Sequence, residues 1–224
     1  MKLFRELNET VDFLTEDSNG KQHLYLEGIA LQGGTKNKNN RIYPPEILDR
    51  EVNRYISESV KRGNAFGEFG HPTGPKLNET LISHRITSIR KDGNDWIGKA
   101  VVLDEGNGKI IRSIVETGGK LGVSSRGLGS VKFNEQLGCD VVQDDYRIVV
   151  GYDVVTNPSA PKAWADSIME NVVDWRLDEK GDWIAEIAHN TRKEIKTLSK
   201  RELEEQQLDL FNRFLTQLAK SNRK

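Results

Sequence analysis

Apolar and polar residues alternate along several parts of the chain, a pattern that predicts β-strands. The alternation is clearest over 82–89 and 96–103, two segments that flank Asp92-Gly93-Asn94, a sequence typical of a hairpin turn. The same pattern predicts three further strands, over residues 23–31, 121–133 and 146–156. The segment between the last two is polar and is expected to be a connection.

Two other segments have apolar residues at the three- and four-residue spacing of an amphipathic helix. The first begins at Pro44 or Pro45 and ends at Gly63, because proline is tolerated in a first turn and glycine commonly follows a last turn. The second covers residues 107–117. Residues 33–40, rich in Gly and Asn, are a loop by composition. These elements together predict an α+β, β-rich fold.

The C-terminal part differs from the rest of the chain in pattern and in charge. After Trp183 the sequence is typical of a long helix, with an apolar stripe at Leu208, Phe211, Phe214, Leu215 and Leu218. Residues 192–224 carry nine basic and five acidic groups, whereas the remainder has a net charge of −5. We therefore expect an N-terminal arm or first strand over 1–20, a body over 21–170 and a helical tail over 171–224. The tail either packs on the body or docks helices of a partner.

Composition excludes several classes of protein. With 33 basic and 34 acidic residues the net charge is −1, so general binding of duplex nucleic acid is not expected, and the basic tail is only modestly charged. The lone Cys139 excludes a disulfide framework and a zinc site of several cysteines. There is no apolar run of about 18 residues and no apolar segment at the N-terminus. These features predict an intracellular protein without a membrane span.

One of the four histidines lies in a sequence suited to catalysis. His71 follows two glycines in Gly67-Glu68-Phe69-Gly70-His71-Pro72, and the proline fixes the backbone after it. Such a segment can hold an imidazole rigidly at the end of a strand, as a general base requires. His84 lies within a predicted strand, where a packing role is more common, and it is the substitute candidate.

A pair of serines among glycines is the second candidate feature, in Gly122-Val123-Ser124-Ser125-Arg126-Gly127-Leu128-Gly129-Ser130. A serine hydroxyl attacks well only when a base removes its proton and donors stabilise the oxyanion, a role that Arg126 could share. Alternation on a strand places Ser124 and Ser125 on opposite faces, so only one of them can be the nucleophile. The alternative is a strand of small residues that packs closely against another backbone.

Asp153 is an acid within the otherwise apolar segment Val150-Gly151-Tyr152-Asp153-Val154-Val155. A buried carboxylate is costly unless it has a partner, so this residue is expected to have one. It is either the third group that orients a catalytic histidine or a hydrogen-bonded structural aspartate.

Several of these segments, taken in order, resemble the prohead core proteases of tailed myoviruses, which are serine peptidases related to the herpesvirus assemblins and other procapsid proteases. The run Val-Ser-Ser-Arg-Gly-Leu-Gly-Ser is the most specific of them. The resembling segments are Leu24-Tyr25-Leu26-Glu27-Gly28-Ile29, Asn37-Lys38-Asn39-Asn40-Arg41-Ile42-Tyr43-Pro44, Gly67-Glu68-Phe69-Gly70-His71-Pro72, the serine segment 122–130, and the Asp153 segment 150–155 followed by Pro158-Ser159-Ala160-Pro161.

The resemblance implies a fold and a mechanism. The fold would be an assemblin-like procapsid protease core, an antiparallel barrel-like sheet with flanking helices. Ser124 would be the nucleophile, His71 the general base and Asp153 the third member, with Arg126 and Ser125 on the oxyanion or substrate side. The implied reaction is acyl transfer to serine followed by hydrolysis, without metal or cofactor.

The resemblance also implies partners and processing. Substrates would be the internal scaffold proteins and the precursor capsid protein of a phage prohead assembling in the host cytoplasm. The enzyme would be a homo-oligomer, a pentamer being the expected ring, without membrane or specific nucleic acid. Family members cleave after Glu in Leu/Ile-x-Glu and process themselves, which makes Glu186 and Glu205 candidate self-cleavage positions. The alternative is a non-catalytic prohead or tube-like assembly protein of the same fold.

Overall fold

Strands dominate the part of the chain that the computed structural model describes, which is residues 1–8, 11–18, 21–70, 74–156, 174–177 and 183–186. In chain order the strands are β1 (Lys2–Asn8), β2 (Val11–Ser18), β3 (Lys21–Gln32), β4 (Arg41–Ile42), β5 (Phe66–Glu68), β6 (Ile82–Asp92), β7 (Asp95–Val102), β8 (Gly122–Gly129), β9 (Val131–Asn134), β10 (Cys139–Val142), β11 (Arg147–Val155), β12 (Asp174–Leu177) and β13 (Trp183–Glu186). The α-helices are α1 (Pro45–Tyr55) and α2 (Asn107–Glu116). The chain divides into two units, Met1–Glu170 and Asn171–Lys224.

The larger sheet of the first unit is built around the predicted hairpin. Its five antiparallel strands lie in the order β2-β3-β7-β6-β5. The turn between β6 and β7 contains Gly93 at φ 60°, a conformation that glycine adopts without strain. Every second residue of β7 is buried, from Trp96 to Val102. The prediction of these two strands and of their turn is confirmed.

A second sheet places β8 between β1 and β11, and both pairings are antiparallel. All eight residues of β8 are buried, so small residues are needed where neighbours approach closely. A Cβ on Gly127 would lie only 2.4 Å from the ring of Tyr146. The predicted single strand over 121–133 is divided at Ser130, whose N–H and hydroxyl both bond Asp145 Oδ1 at 2.9 Å.

The predicted connection between residues 133 and 146 contains a strand, β10, which forms a hairpin with β9. β9 and β10 pair antiparallel, and β4 adds to β10 in parallel. The turn includes Gly138 at φ 60°, and the Asn134 side chain accepts the N–H groups of Gln136 and Leu137. The polar residues around it obscured β10, a strand of only four residues.

The two predicted helices are confirmed. In α1 the apolar positions Ile47, Leu48, Val52 and Tyr55 are buried. The helix continues as one π-helical turn over Ile56–Val60 and is followed by Gly63 at φ 74°. Arg54 Nη2 donates to the carbonyl of Ile148 at 2.7 Å, which docks α1 on β11.

At both ends of the chain the structure differs in detail from the elements predicted there. Residues 1–20, expected to be an arm or a first strand, contribute β1 and β2, which pair with β8 and β3. In the predicted helical tail, β12 and β13 form an antiparallel hairpin, so a helix is wrong for those eight residues. The four residues of β12 alternate polar and apolar side chains, as a strand does. The stripe over 208–218 lies outside the described residues. The barrel-like closure stays a prediction. In the described part of the chain, no helix combines the length and apolarity that crossing a membrane requires.

Candidate active site

Ser124 lies in the middle of the central strand β8, directly opposite Asp153 of β11. Opposite residues of an antiparallel pair project from the same face of the sheet, and so do residues two apart on one strand. Ser124, Arg126 and Asp153 therefore share one face. Ser125 projects from the other face, opposite Glu6 of β1. The prediction that the two serines face in opposite directions is confirmed.

Asp153, Arg126 and Glu68 form a fully buried ionic cluster on the Ser124 face. Arg126 Nε lies 2.7 Å from Asp153 Oδ2, and Arg126 Nη2 donates to Asp153 Oδ1 at 3.1 Å and to Glu68 Oε1 at 2.9 Å. The N–H of Glu68 also donates to Asp153 Oδ1, at 2.9 Å. The expected partner of the Asp153 carboxylate is therefore an arginine with a second acid beside it. The Arg126 charge is balanced by two carboxylates, a geometry that ties β5, β8 and β11 together.

His71 lies outside the described residues, but the residues on both sides of it contact this cluster and its strands. Gly70 donates its N–H to the carbonyl of Val154 at 2.8 Å, and Phe69 forms a parallel bridge with Val154. Gly74 offers its carbonyl to Arg126 Nη1 at 2.9 Å. The segment that carries His71 is thus bonded at one end to β11 and at the other to the side chain two residues from Ser124.

His84, the substitute candidate, is a core residue. Its Nε2 donates to the carbonyl of Tyr152 at 3.1 Å, and its Nδ1 accepts from Ser83 Oγ at 2.9 Å. The ring stacks on Tyr152 at 5.4 Å between centroids. Burial lowers the pKa of His84 to about 4, so the imidazole is neutral at pH 7. Packing, the role that its place in a strand favoured, accounts for this histidine.

The pKa of Asp153 is displaced in the opposite sense. Burial raises the pKa of this carboxyl to about 6, although the Arg126 guanidinium and the Glu68 N–H both favour the charged form. Between pH 4 and 6.5 the folded chain therefore binds a proton at Asp153 that the unfolded chain binds less well. At His84 the reverse holds: over the same pH range the unfolded chain binds a proton that the folded chain binds less well.

These two groups predict opposite pH dependences of stability. Acidification from pH 6.5 to 4 removes about 2–3 kcal/mol through His84 and returns about 2 kcal/mol through Asp153, so the effects largely cancel in the wild-type chain. Asp153→Asn is expected to leave only the His84 effect, and the free energy of unfolding should fall more steeply with acid than in wild type. His84→Gln should do the reverse. Urea unfolding at a series of pH values measures both.

The control for this pair is Asp49→Asn, which removes a half-exposed acid that Lys91 contacts at the surface. Its pH profile should parallel that of the wild-type chain, because exposed ion pairs contribute little. Identical profiles for all four proteins would contradict the assignment of these pKa values.

Two acids were missed in the sequence. Glu68 bridges Arg126 and the N–H of Asn78, to which its Oε1 is bonded at 2.7 Å, and Glu6 of β1 is buried beside Ser125. One feature of the sequence could have indicated that Glu68 is buried: it lies between Gly67 and Phe69-Gly70, where a strand enters the core. Within the described ranges, no three His, Cys, Asp or Glu side chains are grouped as metal ligands would be.

The candidate self-cleavage positions fall in the second unit. Glu186 is the last residue of β13, where it is paired with Asp174. Glu205 lies outside the described residues.

Comparisons with known proteins agree on one family. A family model described as prohead core protein serine protease matches residues 9–173. A prohead core protein protease of Enterobacteria phage T4 is 38% identical over 146 residues, which are 64% of this chain and 68% of that protein. The solved structure of the bacteriophage T4 capsid assembly protease is similar with a TM-score of 0.67 and 31% identity, over 70% of this chain and 98% of that one. The matched region contains His71, Ser124 and Asp153.

Proposed function

The chain belongs to the family of prohead core protein serine proteases, and on that premise we propose that it is a serine endopeptidase with Ser124 as its nucleophile. The observation that carries the proposal is the position of Ser124 on β8. It lies opposite the buried acid Asp153, and the two flanks of the His71 segment are bonded to the β11 backbone and to the Arg126 side chain on the Ser124 face. Ser125 projects from the opposite face.

In this mechanism His71 takes the proton of Ser124 Oγ as the hydroxyl attacks a peptide carbonyl. The C–N bond breaks when His71 gives that proton to the leaving amine, and water then hydrolyses the acyl-enzyme with the same histidine as base. Asp153 supplies the negative charge that stabilises the imidazolium. Its own charge is held by Arg126, so the acid and the arginine act as a unit.

For Arg126 the proposal is a positioning role rather than direct contact with the oxyanion. Its guanidinium is fully buried, with Nη2 bonded to Glu68 and Asp153 and Nη1 bonded to the Gly74 carbonyl, so both terminal nitrogens already donate within the protein. Ser125 has no part in the acyl transfer proposed here. Its hydroxyl is buried without a hydrogen-bond partner among the described residues.

The substrates that follow from the family are internal core proteins of the prohead and the precursor capsid protein, cleaved inside the prohead as it assembles in the host cytoplasm. The enzyme would act as a homo-oligomer, a pentamer being the expected ring. Self-cleavage after Glu186 or Glu205 would shorten the second unit on activation.

The test is incubation of the purified chain with a phage prohead core protein, followed by intact-mass measurement of both. We expect new core-protein fragments and a shortened enzyme, no inhibition by a chelator, and full inhibition by a serine-directed organophosphonate. Cleavage that resists the phosphonate and stops with the chelator would contradict serine catalysis. A stable complex without cleavage under activating conditions would instead favour the structural assembly protein.

A further inference from the structure

The loop over 37–43 encloses the carboxylate of Glu6. Glu6 Oε1 accepts from Arg41 Nη1 at 2.9 Å and from the Tyr43 hydroxyl at 2.6 Å. Glu6 Oε2 accepts from Asn37 Nδ2 at 2.6 Å and from Asn39 Nδ2 at 2.8 Å. Four side chains from one short segment, the loop, the β4 strand that follows it and the next residue, thus satisfy a single buried carboxylate. We name this set, Asn37, Asn39, Arg41 and Tyr43, the Glu6 clamp.

Hydrogen bonds within the loop hold the clamp residues in place without any contribution from Glu6. Asn37 Oδ1 accepts the N–H groups of Asn39 and Arg41, both at 3.0 Å, which curls the loop around its own first residue. Asn40 has φ 58°, a left-handed conformation that Asn tolerates better than most residues. Its carbonyl accepts the N–H of Asp140, where β4 and β10 begin to pair. The loop therefore presents its donors from a fixed frame.

Glu6 belongs to the strand that covers one whole edge of the nucleophile strand. β1 pairs with β8 from Lys2 opposite Gly129 to Asn8 opposite Val123, and Glu6 is opposite Ser125. The clamp also packs against the back of β8. The Tyr43 ring meets Tyr146 edge-on at 5.2 Å, and Tyr146 lies where a Cβ on Gly127 would be. A displacement of Glu6 would therefore shift β8 at Ser125, which is one residue from Ser124.

We propose that Glu6 is a positioning residue for the proposed serine-peptidase reaction, because the Glu6 clamp fixes β1 against β8 and so holds the Ser124 backbone in place. This inference rests on the proposed function. It gives a role to the segment Asn37–Tyr43, which the sequence marked only by resemblance. The hydrogen bonds to Glu6 are short and charge-assisted, because the acceptor is a carboxylate. Hydrogen bonds of this type are stronger than those between two neutral groups.

The protonation states fit this role. Burial first, and then the neighbouring Glu6 carboxylate, raise the pKa of Tyr43 well above its ordinary value, so its hydroxyl donates at any pH used for assay. Arg41 carries a permanent positive charge and also lies over the Phe4 ring at 4.6 Å from the centroid. Phe4 is two residues from Glu6 on β1 and shares its face.

The deciding variant is Glu6→Gln in the full chain, which keeps the length of the side chain but removes its charge and turns an NH₂ group toward a donor. We expect kcat for core-protein cleavage to fall about 10-fold or more with little change in KM, because misplacement of a reacting atom by about 1 Å has such effects. Modification of Ser124 by an organophosphonate should slow by a similar factor. Both are measured where circular dichroism shows the variant folded.

Two further variants keep the result unambiguous. Tyr43→Phe removes one hydrogen bond and preserves the ring, and we expect a smaller fall in kcat; it decides the question alone if Glu6→Gln does not fold. Glu16→Gln, the matched control, removes a half-exposed acid of β2 that Lys99 contacts, and it should leave kcat unchanged. Folded Glu6→Gln or Tyr43→Phe with wild-type kcat and labelling would overturn the inference. A wild-type chain that cleaves but is not labelled at Ser124 would overturn the proposed function instead.

Discussion

Ser124→Ala is expected to lower cleavage of the prohead core protein by about 10⁴-fold or more, because the acyl-enzyme cannot form without the hydroxyl. The strand itself should tolerate the change, since alanine fits wherever serine does and Ser124 is only 4% exposed. Initial rates of fragment formation, read by intact mass, measure the loss. Thermal unfolding should be close to that of the wild-type chain.

Ser125→Ala is the matched control, one residue away on the same strand and equally buried. Its hydroxyl faces away from Asp153 and lacks a hydrogen-bond partner in the described part of the chain, so its removal should keep most of the activity. A larger loss for Ser125→Ala than for Ser124→Ala would exchange the two assignments. Equal, small losses for both would place the nucleophile elsewhere.

Arg126→Met is expected to destabilise the fold by about 3–5 kcal/mol, a large part of the roughly 5–15 kcal/mol by which ordinary domains are stable. The methionine has a similar length but leaves Glu68 and Asp153 buried together without a cation. The pKa of Asp153, which burial already raises, would then rise further, and stability would be lost as pH increases through it. Urea unfolding at pH 5 and pH 8 should therefore show the larger deficit at pH 8.

The control for Arg126→Met is Arg90→Met, which removes an exposed arginine that contacts Glu27 at 3.2 Å. Exposed pairs contribute about 1 kcal/mol or less, so this variant should unfold almost as the wild-type chain does. Adding Glu68→Gln and Asp153→Asn to Arg126→Met should recover much of the loss, because no buried charge then remains. Equal deficits for the two methionine variants would contradict the buried cluster.

Local patterns predicted much of the fold because the necessary information lies within a few residues. The β6–β7 hairpin follows from alternation on both sides of Asp92-Gly93-Asn94, and α1 from apolar residues spaced by three and four. β10 was missed, and β9 was joined to β8 in one predicted strand, because both are four residues long and the turn between them is polar. Such short strands are stabilised by pairing with each other and with β4, which a local pattern does not reveal.

The sequence named Ser124, Arg126 and Asp153 as candidates, but it did not predict the contacts between such residues. Asp153 was expected to have a partner, yet the partners are 27 and 85 residues away along the chain, at Arg126 and Glu68. Glu6 and Tyr43 are separated by 37 residues. An acid in an N-terminal strand is ordinarily expected to face solvent, so nothing in the sequence indicated that Glu6 is buried. Pairings of this kind depend on which strands become neighbours, and that is decided by the whole fold rather than by spacing.

The most direct test of the central claim is to treat the active chain with a serine-directed organophosphonate and to locate the adduct by peptide mass spectrometry. We predict one adduct, on Ser124, which forms about 10³-fold more slowly in His71→Gln because the base is missing. His23→Gln, at a partly exposed histidine near Asp104, should be labelled at the wild-type rate. An adduct on another residue, or no adduct in a chain that cleaves its substrate, would contradict the account.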